Sequence, residues 1–193
     1  MKLMEPIEEK KYLDSVLIGE YQVGKTSIKN ILESRNAETM PTVFLSNFHI
    51  ETDNFIIKGF DYSGSKNYRN IVSANIPQST KIAFLVFDLS NHGSFDTLHE
   101  WVELLENRTK AMIVLIGNKS DLVQERVVEY EEAKNYAEKI NADIYIETSC
   151  VPPYSGIQYL KDYLNGLSSD DPRFVEPNAS VVLQKTDSHY WCC

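Results

Sequence analysis

The stretch GEYQVGKT, residues Gly19–Thr26, decides the fold of this chain. It matches the phosphate-loop pattern G-x-x-x-x-G-K-[ST], follows a predicted strand at Tyr12–Ile18 and precedes apolar residues at helical spacing. Glycine lets the backbone turn its N–H groups toward an anion, and the following helix directs the positive end of its dipole there. Lys25 can reach the β- and γ-phosphates of a nucleotide, and the Thr26 hydroxyl can bind Mg²⁺. The stretch therefore predicts a nucleotide-phosphate site.

Short apolar runs alternate with helical periodicity along the rest of the chain. Phe44–Glu51 and Asn54–Phe60 predict a β-hairpin, while Lys81–Phe87 and Met112–Ile116 predict strands covered on both faces. Between Lys81–Phe87 and Met112–Ile116, apolar residues from Phe95 to Leu105 recur at helical spacing and predict a helix. The order predicts an α/β fold with a doubly wound, mostly parallel sheet and one antiparallel edge strand.

The domain organisation follows from where this periodicity begins and stops. Residues 1–11 are predicted to be an N-terminal extension, residues 12–167 one folded domain, and residues 168–193 a flexible tail.

No apolar run is long enough to span a bilayer, and no signal peptide is recognisable. The net charge of −9 argues against a nucleic-acid partner. Two of the three cysteines are the last two residues, which leaves Cys150 alone in the rest of the chain. The sequence therefore predicts neither a disulfide framework nor a zinc site.

Three further motifs follow the phosphate loop in order, each after a predicted strand. They are DYSG at Asp61–Gly64, NKSD at Asn118–Asp121 and ETSC at Glu147–Cys150. Together with the phosphate loop, they make residues 12–167 resemble the small GTPases of the Ras superfamily. A carboxylate at Asp121 suits guanine, because guanine presents a ring N–H and an amine as donors where adenine does not. A P-loop kinase or ATPase is therefore the minor alternative.

The resemblance implies a set of site residues. MPTVF, Met40–Phe44, resembles the first switch segment, whose threonine binds Mg²⁺ when the γ-phosphate is present. The implied metal ligands are Thr26, Thr42 and Asp61. The implied nucleotide-binding residues are Gly19, Glu20, Tyr21, Gln22, Val23, Gly24, Lys25, Thr26, Ser27, Thr42, Gly64, Asn118, Lys119, Asp121, Ser149 and Cys150.

The catalytic part of the pattern departs from the family. Lys25 is retained, but Ser65 stands where relatives carry a glutamine that orients the attacking water. Tyr21 stands where a small residue is usual, and its side chain can crowd that water or an arginine from an activating protein. Slow GTP hydrolysis is the hypothesis, and a non-hydrolysing GTP-binding scaffold is the alternative.

The branch of the superfamily is indicated by the helical segment after the guanine motif and by the chain end. Arg126–Val128 and the Cys192-Cys193 ending are similar to Rab proteins, whereas Pro41–Phe44 is similar to Rho proteins, so a Rho-like signalling GTPase stays an alternative. A Rab-like assignment implies lipidation of Cys192 and Cys193 and a role as a switch in vesicle-mediated transport. It also implies attachment to the cytosolic face of intracellular membranes. The implied partners are GTP and GDP, an exchange factor, a GAP, effectors, an escort protein and a GDP-dissociation inhibitor, with the chain itself a monomer.

Overall fold

A central sheet carries the fold of the computed structural model, which describes residues 10–34, 42 and 44–175. Among these residues the strand order is β2-β3-β1-β4-β5-β6, with β2 antiparallel to β3 and every other neighbouring pair parallel. The predicted fold class is therefore confirmed. The strands are β1 (Lys11–Gly19), β2 (Leu45–Glu51), β3 (Phe55–Tyr62), β4 (Ile82–Asp88), β5 (Met112–Asn118) and β6 (Ile144–Thr148).

Helices cover both faces of this sheet. Where the sequence predicted one helix around Phe95–Leu105, the structure has two, which meet at Thr97. The sequence did not predict α2, in which only Val72 is buried and the apolar pattern is correspondingly weak. None of the helices in the described ranges has the length and apolar character needed to cross a bilayer. The helices are α1 (Lys25–Leu32), α2 (Arg69–Asn75), α3 (His92–Asp96), α4 (Leu98–Glu106), α5 (Tyr130–Lys139) and α6 (Ile157–Asn165).

Two hydrophobic layers form because alternate residues of a strand point to opposite faces of the sheet. All residues of β4 are buried: Phe84 packs in the layer beneath α1 and α6, and Leu85 in the layer beneath α2, α4 and α5. Trp101 of α4 is fully buried in the second layer. Burial on both faces explains why β4 and β5 read as continuous apolar runs in the sequence.

The described residues beyond α6 include one that packs against the domain, inside the segment for which the sequence predicts a flexible tail from Ser168. The ring of Phe174 is 3% exposed and meets the ring of Phe55 edge-on at 5.5 Å between centroids. Arg173 forms an ion pair with Asp143, the residue just before β6. The isolated Phe174 carries no periodicity, so the sequence did not reveal this contact. Residues 1–9 and 176–193, including Cys192 and Cys193, lie outside the described residues.

Replacing Phe174 by alanine tests this packing. Phe174→Ala is expected to lower the free energy of unfolding by about 2 kcal/mol, the usual contribution of one buried apolar side chain. Urea denaturation followed by circular dichroism measures the change. Val175→Ala is the matched control, because Val175 is exposed and should change stability little. Equal midpoints for the two variants would contradict the packed position of Phe174.

Candidate nucleotide-binding site

The parallel strands bring the predicted motifs to one edge of the sheet. Gly19 at the end of β1 pairs with Val86 of β4, and Asp88 at the end of β4 pairs with Asn118 at the end of β5. Asn118 in turn pairs with Thr148 at the end of β6. The phosphate loop and the two guanine motifs therefore lie side by side, although well over a hundred residues separate the first from the last.

Lys25 is the first residue of α1, and its side chain contacts the phosphate loop that precedes this helix. Its side chain is buried, and its Nζ donates to the carbonyl oxygens of Gly19 and Glu20 at 2.9 and 2.6 Å. Burial lowers the pKa of this ammonium from 10.5 to about 8, while the charges of Asp61 and Glu20 oppose the shift. An ammonium that is poorly solvated in this way gains strongly from an anionic ligand, which suits a phosphate-binding lysine.

Gly24 lets the guanine motif touch the phosphate loop. Its φ is 96°, in the left-handed region, and a Cβ built on it would lie 2.1 Å from Asn118 Nδ2. The Asn118 amide donates to the carbonyl of Val23 at 2.8 Å and accepts from the Thr148 hydroxyl at 3.1 Å. Asn118 is thus buried with both ends of its amide satisfied, and it links the phosphate loop to the ends of β5 and β6.

Three hydroxyl groups converge on the buried carboxylate of Asp61. Thr26 Oγ1 donates to Asp61 Oδ2 at 2.7 Å, and Thr42 Oγ1 lies 3.2 Å from the same oxygen and 2.8 Å from Thr26 Oγ1. Ser46 Oγ is a third, longer contact at 3.4 Å. Asp61 Oδ1 is buried without a hydrogen-bond partner in the described part of the chain. An unpartnered carboxylate oxygen beside hydroxyl groups fits a hard cation such as Mg²⁺.

At the candidate metal site, the described residues supply the carboxylate of Asp61 and the hydroxyl groups of Thr26 and Thr42. Within the described ranges, no group of three or more His, Cys, Asp or Glu side chains is arranged to hold a metal ion. Mg²⁺ usually takes one or two carboxylates together with phosphate oxygens and water. The single carboxylate of Asp61 with Thr26 and Thr42 matches that pattern.

The predicted guanine-binding residues are held by hydrogen bonds and one ion pair. Asp121 Oδ1 accepts from the Ser149 hydroxyl at 2.5 Å, which orients the carboxylate from the neighbouring loop. Lys119 Nζ forms an ion pair with Asp88 Oδ2 at 2.6 Å. These contacts fix both side chains of the motif before any base is bound.

A cavity of about 690 Å³ occupies this edge, and most predicted nucleotide-binding residues line it. Ser65 does not line it, nor does the fully buried Asp61, which lies behind Thr26 and Thr42. The predicted residues on its wall are Tyr21, Gln22, Gly24, Lys25, Thr26, Ser27, Thr42, Gly64, Asn118, Lys119, Asp121 and Cys150. Gly19, Glu20, Val23 and Ser149 lie behind the wall, and the sequence did not predict Tyr62, Ser63, Leu122 and Val151, which line it.

The side chain of Glu20, one of the predicted nucleotide-binding residues, makes its contacts outside the cavity. Its carboxylate forms an ion pair with Arg69 of α2, which also pairs with Glu100 of α4 and stacks over the ring of Trp101 at 4.9 Å. The backbone of Gly64 also lies close to the backbone of Glu20. Only glycine fits there, because a Cβ on residue 64 would lie 2.2 Å from the backbone carbon of Glu20. The phosphate loop is therefore tied to the segment after the DYSG motif, a contact between residues far apart in sequence.

Cys150 lies on the cavity wall as an unreactive thiol. Burial raises the pKa of its thiol from 9.0 to about 11, so at pH 8 the thiolate fraction is about a hundredfold smaller than for an exposed thiol.

In a Cys192→Ser/Cys193→Ser variant, Cys150 is the remaining cysteine. We expect its reaction with a disulfide reagent at pH 8 to be about a hundredfold slower in the folded protein than in urea. The rate should rise with pH toward 11, and a fast reaction of the folded protein at pH 8 would overturn this assignment.

Comparison with known proteins identifies the family of this chain. Residues 14–155 match the sequence profile of the Ras family. The chain is 33% identical over 154 residues to the Ras-related protein RabJ of Dictyostelium discoideum, with 76% of this chain and 59% of RabJ covered. It is 34% identical over 145 residues to the Ras-related protein RABA1g of Arabidopsis thaliana, with 70% of this chain and 65% of that protein covered. The chain thus spans less than two thirds of the length of these relatives. It belongs to the Ras superfamily of small GTPases and is Rab-like in type.

Proposed function

We propose that this chain binds GTP and GDP in the cavity of about 690 Å³ at the sheet edge, with Mg²⁺ at Asp61. The observation that carries the proposal is the position of Asn118. Its amide joins the carbonyl of Val23 in the phosphate loop to Thr148 beside the third motif. A phosphate site and a guanine site joined in this way suit one guanine nucleotide.

The biological role proposed here is that of a membrane-attached switch in vesicle-mediated transport. Thr42 and Gly64 belong to the two segments that would respond to the γ-phosphate. Thr42 would respond through the metal, and Gly64 through its backbone N–H. Thr26, Thr42 and Asp61 would hold Mg²⁺, and the bound cation would neutralise negative charge on the phosphates. The Rab names of the relatives support this role.

The proposed membrane anchor is a pair of prenyl groups on Cys192 and Cys193. Stable anchoring takes two signals, such as two lipid chains or one chain with a basic patch. The sequence from residue 168 onward holds more acidic than basic residues, so it offers no basic patch. Both lipid chains would then be needed, and the chain would attach to the cytosolic face of intracellular membranes.

Slow hydrolysis is part of the proposal. The side chain of Ser65 lies off the cavity wall, and it is too short to orient a water as a glutamine does. Tyr21 lies on the wall and is 47% exposed, so its ring is free to occupy space beside the γ-phosphate. The same two observations favour the second candidate, a scaffold that binds GTP without hydrolysing it.

One set of assays separates these functions. The nucleotide that co-purifies with the full chain is identified by chromatography, and hydrolysis is then followed in single-turnover reactions with GTP and Mg²⁺. Bound GDP with slow turnover is expected, and Tyr21→Gly/Ser65→Gln should be faster than the natural chain. Bound GTP that persists in both proteins would favour the scaffold. Bound adenine nucleotide would refute the proposed function.

A further inference from the structure

Lys29 is a buried cation beside the candidate metal site. It lies one helical turn after Lys25 in α1, and it is 7% exposed. Its Nζ donates to Ser46 Oγ at 2.9 Å and lies 3.9 Å from Asp61 Oδ2. No motif contains Lys29, and neither the phosphate-loop pattern nor the guanine motifs require a positive charge at this position.

The charge of Lys29 acts on the carboxylate that would hold the metal. Asp61 is fully buried, and Lys29 is its cationic contact at ion-pair distance among the described residues. Charges in such a poorly solvated place are weakly screened, so their interactions are much stronger than at the surface. A divalent cation at Asp61 would be repelled by Lys29. Without the metal, Lys29 offsets the negative charge of Asp61, which would otherwise repel the nucleotide phosphates.

We propose that Lys29 is a resident counter-ion that weakens Mg²⁺ binding and makes nucleotide retention less dependent on Mg²⁺. This inference rests on the proposed function of guanine-nucleotide binding. The charge of Lys29 therefore has opposite effects on the affinity for Mg²⁺ and on the retention of nucleotide without Mg²⁺. Removing the charge of Lys29 strengthens metal binding, and it also speeds nucleotide release when the metal is absent.

The test compares the full chain with Lys29→Met, each loaded with a fluorescent N-methylanthraniloyl derivative of GDP. Release of the nucleotide is followed in buffers of fixed free Mg²⁺, from excess chelator to saturation. The free Mg²⁺ that gives half-maximal retention is expected to fall about tenfold or more in Lys29→Met. In excess chelator the variant is expected to release nucleotide several-fold faster than the natural chain. Binding of Mn²⁺ to the GDP-loaded proteins, measured by electron paramagnetic resonance, gives the metal affinity directly.

Two further variants keep the result interpretable. Lys58→Met removes a lysine charge from an exposed side chain near Asp14, and it should leave the Mg²⁺ dependence unchanged. Lys29→Gln removes the charge but can still donate to Ser46, so it replaces Lys29→Met if the methionine variant does not fold. Equal or weaker Mn²⁺ binding in the neutral variants, or an unchanged response to chelator, would overturn the inference. Failure of the natural chain to retain GDP in saturating Mg²⁺ would instead refute the proposed function.

Discussion

Lys25→Met is expected to weaken GDP binding about a thousandfold. The ammonium would donate to two oxygens of the terminal phosphate of GDP, and a hydrogen bond to a charged group contributes about 1.5–3 kcal/mol. The loss is therefore about 4 kcal/mol in all. Isothermal titration calorimetry with GDP and Mg²⁺ measures the affinity.

The variant is expected to stay folded, which separates binding from stability. Burial disfavours the charged form of Lys25 and lowers its pKa, so loss of the ammonium removes an unfavourable desolvation. Lys134→Met is the control, because Lys134 is exposed on α5, away from the cavity wall. A Lys25→Met protein that is folded by circular dichroism and binds GDP with the affinity of the control would exclude this cavity as the phosphate site.

Asp121→Asn is expected to weaken GDP binding by several hundredfold and to reduce the preference for guanine. The carbonyl oxygen of the new asparagine would still accept from Ser149, but its amide N–H groups would face the donors of the base. Two hydrogen bonds to a carboxylate, at about 1.5–3 kcal/mol each, would be lost. Xanthine carries a carbonyl in place of the exocyclic amine of guanine, so xanthosine diphosphate should regain part of the affinity.

Competition between GDP and xanthosine diphosphate measures this change in preference. Asp162→Asn makes the same chemical substitution at an exposed position of α6, and it should retain the natural preference. If Asp121→Asn also prefers GDP as strongly as the natural chain, Asp121 does not contact the base. Such a result would leave the phosphate site unaffected, because Lys25 begins α1 whereas Asp121 lies in the turn after β5.

Much of the site could be predicted because its residues lie in short contiguous motifs. Four stretches, each after a strand, indicate the chemistry by residue type and spacing, and parallel strands must place their carboxyl ends at one edge. The positions of Ser65 and Tyr21 could also be read from the spacing. Even so, the spacing could not show that Glu20 would turn from the cavity toward Arg69.

The residues that the sequence did not reveal belong to no motif. Lys29 and Ser46 lie in α1 and β2, and they meet at Asp61 only because β3 brings that carboxylate between them. Phe174 lies outside any periodic segment, yet it packs against Phe55. These contacts join residues distant in sequence, and hydrophobic periodicity reports only which residues of one element share a face.

The sequence by itself determined the phosphate loop, the guanine motif, the alternation of strands and helices, and the likeness to the Ras superfamily. These features are local, since backbone turns, helix dipoles and motif spacing depend on neighbouring residues. Only the tertiary structure decided that Asn118 links the phosphate loop to β6, that Arg69 ties Glu20 to α4, and that Lys29 lies against Asp61. Those contacts depend on which side chains the sheet brings together at one edge, and burial there gives the charge of Lys29 its effect on the metal site.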